Sequence, residues 1–157
     1  MEENYRPDME VAKIIEKKYH LDDLSFQEAQ QVICNFAAEL LIDSASIQKE
    51  NREKTTQYNG KIKDFLAGKI DTQTLRKIRV EAIKFSQTIE RQPDRNIIEF
   101  VTKGLFDEEM SMFNEYGAEM HFEMLLFTLK ETKKSKICHK FLDFLSSSPI
   151  MKKYESS

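Results

Sequence analysis

Three kinds of side chain in this chain of 157 residues are equipped for chemistry: three histidines, two cysteines and a set of clustered glutamates. His121 stands among Glu115, Glu119 and Glu123 in a stretch whose pattern predicts a helix. Helical bundles that bind two metal ions use Glu-x-x-His pairs, because that spacing puts both ligands on one face. Here position 118 is alanine, and Glu119 sits roughly 200° around the helix from His121. Glu115 and Glu119 do share a face, but no second helix with matching carboxylates is evident. The sequence therefore predicts no metal site and no cofactor, with His121 as a partly exposed histidine beside solvated glutamates.

Nucleophilic catalysis finds no better footing. Cys138 and His139 are adjacent, so on a helix they point about 100° apart and cannot form a thiolate–imidazole pair. Cys34 meets His20 or His121 only through a tertiary contact. Without CxxC or paired-histidine spacing, the expectation is two reduced, buried thiols. Arg91 and Arg95 do not stand at the Arg–His spacing used by helical ribonucleases. Glycines occur at 60, 68, 104 and 117 alone, which excludes the phosphate loop, the dinucleotide fingerprint and the nucleophile elbow. No enzymatic activity is expected.

Binding surfaces are better represented. Glu108, Glu109, Glu115, Glu119 and Glu123 alternate with Met112, Tyr116 and other large apolar residues, an acidic face with apolar anchors that suits a basic protein partner. Lys69, Arg76, Lys77, Arg79 and Lys84 form a basic cluster of the kind that neutralises phosphates, and Lys130 to Lys140 gives a second basic run. Asp71, Glu81 and Glu90 interrupt the first cluster, and a pI of about 5.7 counts against a nucleic-acid protein. The net charge of −3 conceals alternation: residues 1–48 and 96–128 are acidic, while 49–95 and 129–157 are basic.

The elements that must position these groups are helical. Four glycines and three prolines are too few for the turns of a sandwich or barrel, and eleven phenylalanines with seven methionines argue for a packed core. The chain predicts an all-α, single-domain bundle of six or seven helices over 1–149, with 150–157 as a flexible tail. Its centre is a Met/Phe-rich helix over 107–130, whose stripe Met110, Phe113, Gly117, Met120, Met124 and Phe127 recurs at helical steps. Asp107, Glu108 and Glu109 fall on the first turn of that helix, and Gly117 marks a kink or a close crossing.

Around it, Asp8 is the expected cap of a first helix bearing Met9, Ala12, Ile15 and Tyr19. Ser25 with Glu28 makes a capping box for a second, carrying Phe26, Ala29, Ile33, Phe36, Leu40, Ser44 and Ile47 to about Lys49. A short helix interrupted at Asn59-Gly60 ends near Gly68. Asp71 or Thr72 starts a helix whose Leu75, Ile78, Ala82, Phe85 and Ile89 form a heptad-like seam for packing inside the domain. Asp94 is expected to cap a helix that ends near Gly104 and buries Ile98, Val101 and Leu105. A last helix runs from Ile137 to Pro149.

The opening MEENYRPDMEV lacks the apolar stretch of a secretory leader, and no apolar run approaches the ~20 residues of a membrane span. A cytoplasmic protein with no membrane association is expected. Its leading function is stoichiometric occlusion of a protein partner, as an inhibitor, an immunity-like protein or an adaptor. A nucleic-acid-associated regulator using the basic helix 69–84 is the second reading, and a homodimeric scaffold joined through the 75–89 seam is the third.

Overall fold

The computed structural model describes residues 5–42, 47–105, 107, 109, 113–134 and 136–156, without the side chains of 40, 41, 113 and 114. Helix boundaries follow from local chemistry wherever a short-range partner exists. The Ser25 hydroxyl accepts from the Glu28 backbone N–H, and the Glu28 side chain accepts from the Ser25 N–H. This capping box starts α2, Phe26–Phe36, which runs on as a π-helical segment, Ala37–Ile42. The Asp71 carboxylate accepts from the Thr74 N–H and starts α4, Thr72–Gln87. Between them, α3 spans Lys49–Leu66 without interruption at Asn59-Gly60, contrary to expectation. Glycine inside a helix costs only about 1 kcal/mol, too little to stop a helix whose Tyr58, Asn59 and Ile62 are buried.

Gly68 ends α3 in the left-handed region at φ 76°, and bonds from the Gly68 and Lys69 N–H groups reach the Phe65 and Asp64 carbonyls. That is the Schellman ending, in which glycine escapes the Cβ strain of positive φ. The remaining helices are α1 (Pro7–Lys18), α5 (Gln92–Gly104), α6 (Phe113–Glu131), α7 (Ile137–Ser147) and α8 (Pro149–Lys152). The fold is all-α: the described residues form eight α-helices and no strand.

Packing puts α2 in contact with α3, α5, α6, α7 and α8, while α6 lies against α1, α2, α5 and α7. Edge-to-face rings join three of these helices: Phe36 meets Phe141 at 4.9 Å and Phe144 at 5.4 Å, and Phe122 meets Phe141 at 5.9 Å. Such pairs add about 1 kcal/mol each beyond the area they bury. The heptad-like seam packs inside the protein, with Leu75 and Ala82 fully buried and α4 against α3 and α5.

Several charged residues sit where the sequence did not put them. Asp8 does not cap α1; Arg6 occupies the cap position, and Asp8 is buried inside the helix, held by Arg6. Along the same helix Met9 is exposed, and Val11 takes a place in the core. Asp94 likewise lies inside α5, with Arg91 at the cap position. Its carboxylate is fully buried and accepts from the Gln48 N–H at 3.2 Å and the Asn51 amide at 2.8 Å, with Arg91 on its other oxygen. Gln48 offers its own helix no side-chain cap, so a residue 46 positions away serves the start of α3 instead. Asp107 lies ahead of α6, which starts at Phe113 rather than 107.

The expected free tail from 150 is packed. Met151 is fully buried, the Ser156 N–H donates to the Lys18 carbonyl, and the His20 N–H donates to the Tyr154 carbonyl. Lys153 and Tyr154 both donate to the Glu28 carboxylate, at 2.9 and 2.6 Å. Those donors, Tyr154 foremost, hold the Glu28 carboxyl far below its usual range, at about 2. One acidic side chain thus caps α2 and fastens the C-terminal segment to it. Ser44 and Met110 fall outside the described residues.

Candidate protein-binding face on helices α1 and α6

The inner face of α6 differs from the expected stripe. Ala118, Phe122, Leu125, Leu126 and Leu129 are buried, while Met124 and Phe127, both on the expected stripe, are 40% and 44% exposed. Gly117 adopts φ 75°, ψ −172°, a conformation open to glycine alone, and kinks the helix there. The buried side of α6 packs among α1, α2, α5 and α7.

His121 lies on that inner face. It is 7% exposed, and its Nε2 meets the Gln30 side-chain oxygen at 2.9 Å, while the Gln30 amide donates to the Gly104 carbonyl at 2.8 Å. Burial pushes the imidazole down to about 4. This corrects the expectation of a solvated histidine: a neutral imidazole ties α6 through α2 to the end of α5.

On the outer face, α1 runs antiparallel to α6. Glu16 sits with Glu119 and Glu123, their carboxylate oxygens within 4.8 Å of one another, and at the other end Asp8 stands 4.0 Å from Lys130. Glu119 hydrogen-bonds Glu16, and that bond and its negative charge, with Asp22 contributing, raise the Glu119 carboxyl above the usual range. The second helix that the sequence did not advertise is therefore α1, through Glu16. Oxygen donors of this kind suit a hard cation, and no such ion is needed to explain an acidic trio in which Glu119 is exposed and Glu16 and Glu123 are half-buried. Glu115 lies outside it, and His121 faces the other way.

Large apolar groups are exposed on the same two helices. Seven large apolar side chains are exposed among the described residues, and six of them, Tyr5, Met9, Ile14, Tyr116, Met124 and Phe127, lie on or just before α1 and on α6. The antiparallel register set by the Glu16 and Asp8 contacts brings Met9 level with the end of α6 where Phe127 emerges. Lys130 places its ammonium 4.6 Å from the Phe127 ring centre, a cation–π contact. Tyr116 is half exposed beside Glu115. Of the residues expected to bind a protein, Glu119 and Glu123 come together with Glu16, and Glu115 and Tyr116 are exposed ahead of the kink. Glu109 stands apart on Arg76, and Glu108 and Met112 fall outside the described residues. Glu16, Met9 and Phe127 were missed as site residues; only a tertiary contact joins α1 to this face.

The basic cluster on α4 is partly committed elsewhere. Arg76 donates to both oxygens of the buried Asp107 at 3.2 Å and to Glu109 at 3.3 Å. Arg79 is half-buried, and burial lowers its affinity for a proton. It lines a cleft of about 260 Å³ between α4 and α5 with Arg95 and Lys103. Lys69, Lys77 and Lys84 are exposed.

Both cysteines are free and buried, as expected. The Cys34 thiol donates to the Asn59 side-chain oxygen at 3.3 Å and Cys138 to the Leu126 carbonyl at 3.6 Å; burial pushes each up to about 11. A thiol this reluctant to ionise is a poor nucleophile. His139 instead reaches Glu10 at 3.2 Å. No helix among the described residues is long and apolar enough to cross a membrane. Compared with protein-family models, with curated proteins and with solved structures, the chain matches none.

Proposed function

We propose that this protein acts without catalysis, by occluding a basic surface of a protein partner with the outer face of α1 and α6. The reading is inhibitor-like, immunity-like or adaptor-like. The observation that carries it is the exposure of Met124 and Phe127 on a helix that buries Phe122, Leu125, Leu126 and Leu129. Exposed apolar side chains scattered singly need no explanation, but a group of them interleaved with like charges does. Glu16, Glu119 and Glu123 repel one another, and basic side chains on a partner relieve that repulsion while Tyr116, Met124 and Phe127 bury against apolar anchors.

The test is capture from a lysate with and without nuclease, comparing the parent chain with Glu119→Lys, with Met124→Ser/Phe127→Ser and with Lys77→Glu. A stoichiometric protein lost with both α6 variants and retained with Lys77→Glu is the expected result. A partner retained by the α6 variants defeats this reading. Loss on Lys77→Glu with recovery of nucleic acid promotes the regulator reading through Lys69, Lys77 and Lys84. Leu75 and Ala82 are already buried within the chain, so the 75–89 seam offers a homodimer little surface.

A further inference from the structure

A cleft of about 640 Å³ opens between the start of α1 and the turn joining α6 to α7, lined among others by Tyr5, Lys130, Lys134, Lys136, His139 and Asp143. That volume lies within the range of small-molecule sites, roughly 300–1,000 Å³. Its nitrogen donors come from three places: Lys130 from the last turn of α6, Lys134 and Lys136 from the turn, and His139 from α7. Partial burial of the Lys134 ammonium, and then repulsion from Lys140, hold it below the usual lysine range.

Carboxylates offset part of this charge. Asp8 and Glu131 stand 4.0 and 3.8 Å from Lys130, Glu10 takes the Tyr5 hydroxyl and His139, and Asp94 acts on Lys134 from a distance. Asp143 lies in the wall. Lys136 is exposed, with φ 54°, a backbone conformation that suits glycine and costs an L-residue about 1 kcal/mol. A lysine held there keeps a cation at the mouth of the cleft. Beyond it α7 begins with no side-chain cap and no acidic residue in its first turn, so the positive end of an 11-residue helix faces the same space.

We propose that this cleft binds a small phosphate monoester of mononucleotide size, with the phosphate on Lys134, Lys136 and the start of α7 and the rest of the ligand against Tyr5 and Pro7. A phosphate dianion matches a group of ammonium donors beside the positive end of a helix. The proposal does not depend on the α1/α6 face binding a protein.

Calorimetric titration of the full chain with AMP and with inorganic phosphate, at one ionic strength, tests it. Saturable one-to-one binding is expected, tighter for AMP, and weakened about tenfold in Lys134→Gln and in Lys136→Gly but unchanged in Lys77→Gln. Ten-fold is what loss of one charge-assisted contact of about 1.4 kcal/mol delivers. Lys136→Gly relaxes its backbone, so its Tm is expected to hold or rise, which separates lost binding from lost folding. Absence of saturable AMP binding overturns the proposal. So does equal weakening by Lys77→Gln, and so does an affinity for AMP no greater than for inorganic phosphate.

Discussion

On α4, Leu75 and Ala82 are fully buried and Arg76 is paired with Asp107 and Glu109. On α6, beyond a similar buried stripe, Met124 and Phe127 face outward beside glutamates that repel one another. Both helices carry apolar and charged residues in quantity. The difference lies in what the rest of the chain supplies. α4 packs between α3 and α5 and finds a buried carboxylate for its arginine, whereas α6 carries more apolar surface than α1, α2, α5 and α7 cover. Surface that a chain leaves uncovered without a reason of stability is where function is to be sought.

Truncation measures that contrast most directly. Leu126→Ala, on the inner face of α6, is expected to cost about 3 kcal/mol, as is Leu75→Ala on α4. Phe127→Ser, one residue from Leu126 on the outer face, is expected to change stability by less than about 0.5 kcal/mol. Urea denaturation reads all three, and a cost for Phe127→Ser near that of Leu126→Ala erases the distinction between faces.

Protonation tests how α6 is held from within. His121 is buried neutral, so the unfolded chain binds a proton between pH 6.5 and about 4 that the folded chain refuses. Stability from this group is therefore full above pH 6.5 and declines as pH falls through that window, by about 3 kcal/mol in all. His121→Gln is expected to flatten this part of the pH–stability profile. Glu28, held at about 2 by Tyr154 and Lys153, contributes stability above pH 4.5 that is lost as pH falls from there to about 2. Tyr154→Phe is expected to weaken that lower limb.

The glycines give a sharper pair. A Cβ at either Gly117 or Gly60 meets nothing within 4 Å, so only the backbone distinguishes them. Gly117→Ala forces an L-residue into φ 75° and is expected to cost about 2 kcal/mol. Gly60→Ala, inside α3, is expected to add about 0.7 kcal/mol. Equal thermal shifts from the two would mean that the kink of α6 is dispensable. A small effect of opposite sign is expected at Tyr19, whose hydroxyl is buried without a hydrogen-bond partner among the described residues. Tyr19→Phe removes a desolvated oxygen and is expected to be neutral or stabilising by up to about 1 kcal/mol.

What the sequence by itself determined is what four or five consecutive residues decide among themselves. The Ser25–Glu28 box, the Asp71 cap, the Gly68 ending, the stop at Gly104 and the seam of α4 depend on helix periodicity and on partners three or four residues away. Tertiary structure alone decided the rest. A helix apolar nearly all round has no preferred inner face, so whether Met124 or Leu125 is buried depends on the helices that arrive beside it. Asp94 and Asp107 each looked like local helix-start residues, yet a buried carboxylate needs several donors, and distant residues, Gln48 and Asn51 for Asp94 and Arg76 for Asp107, complete the set. Glu16 joined Glu119 and Glu123 for the same reason: carboxylates a hundred residues apart meet only when the helices that bear them pack.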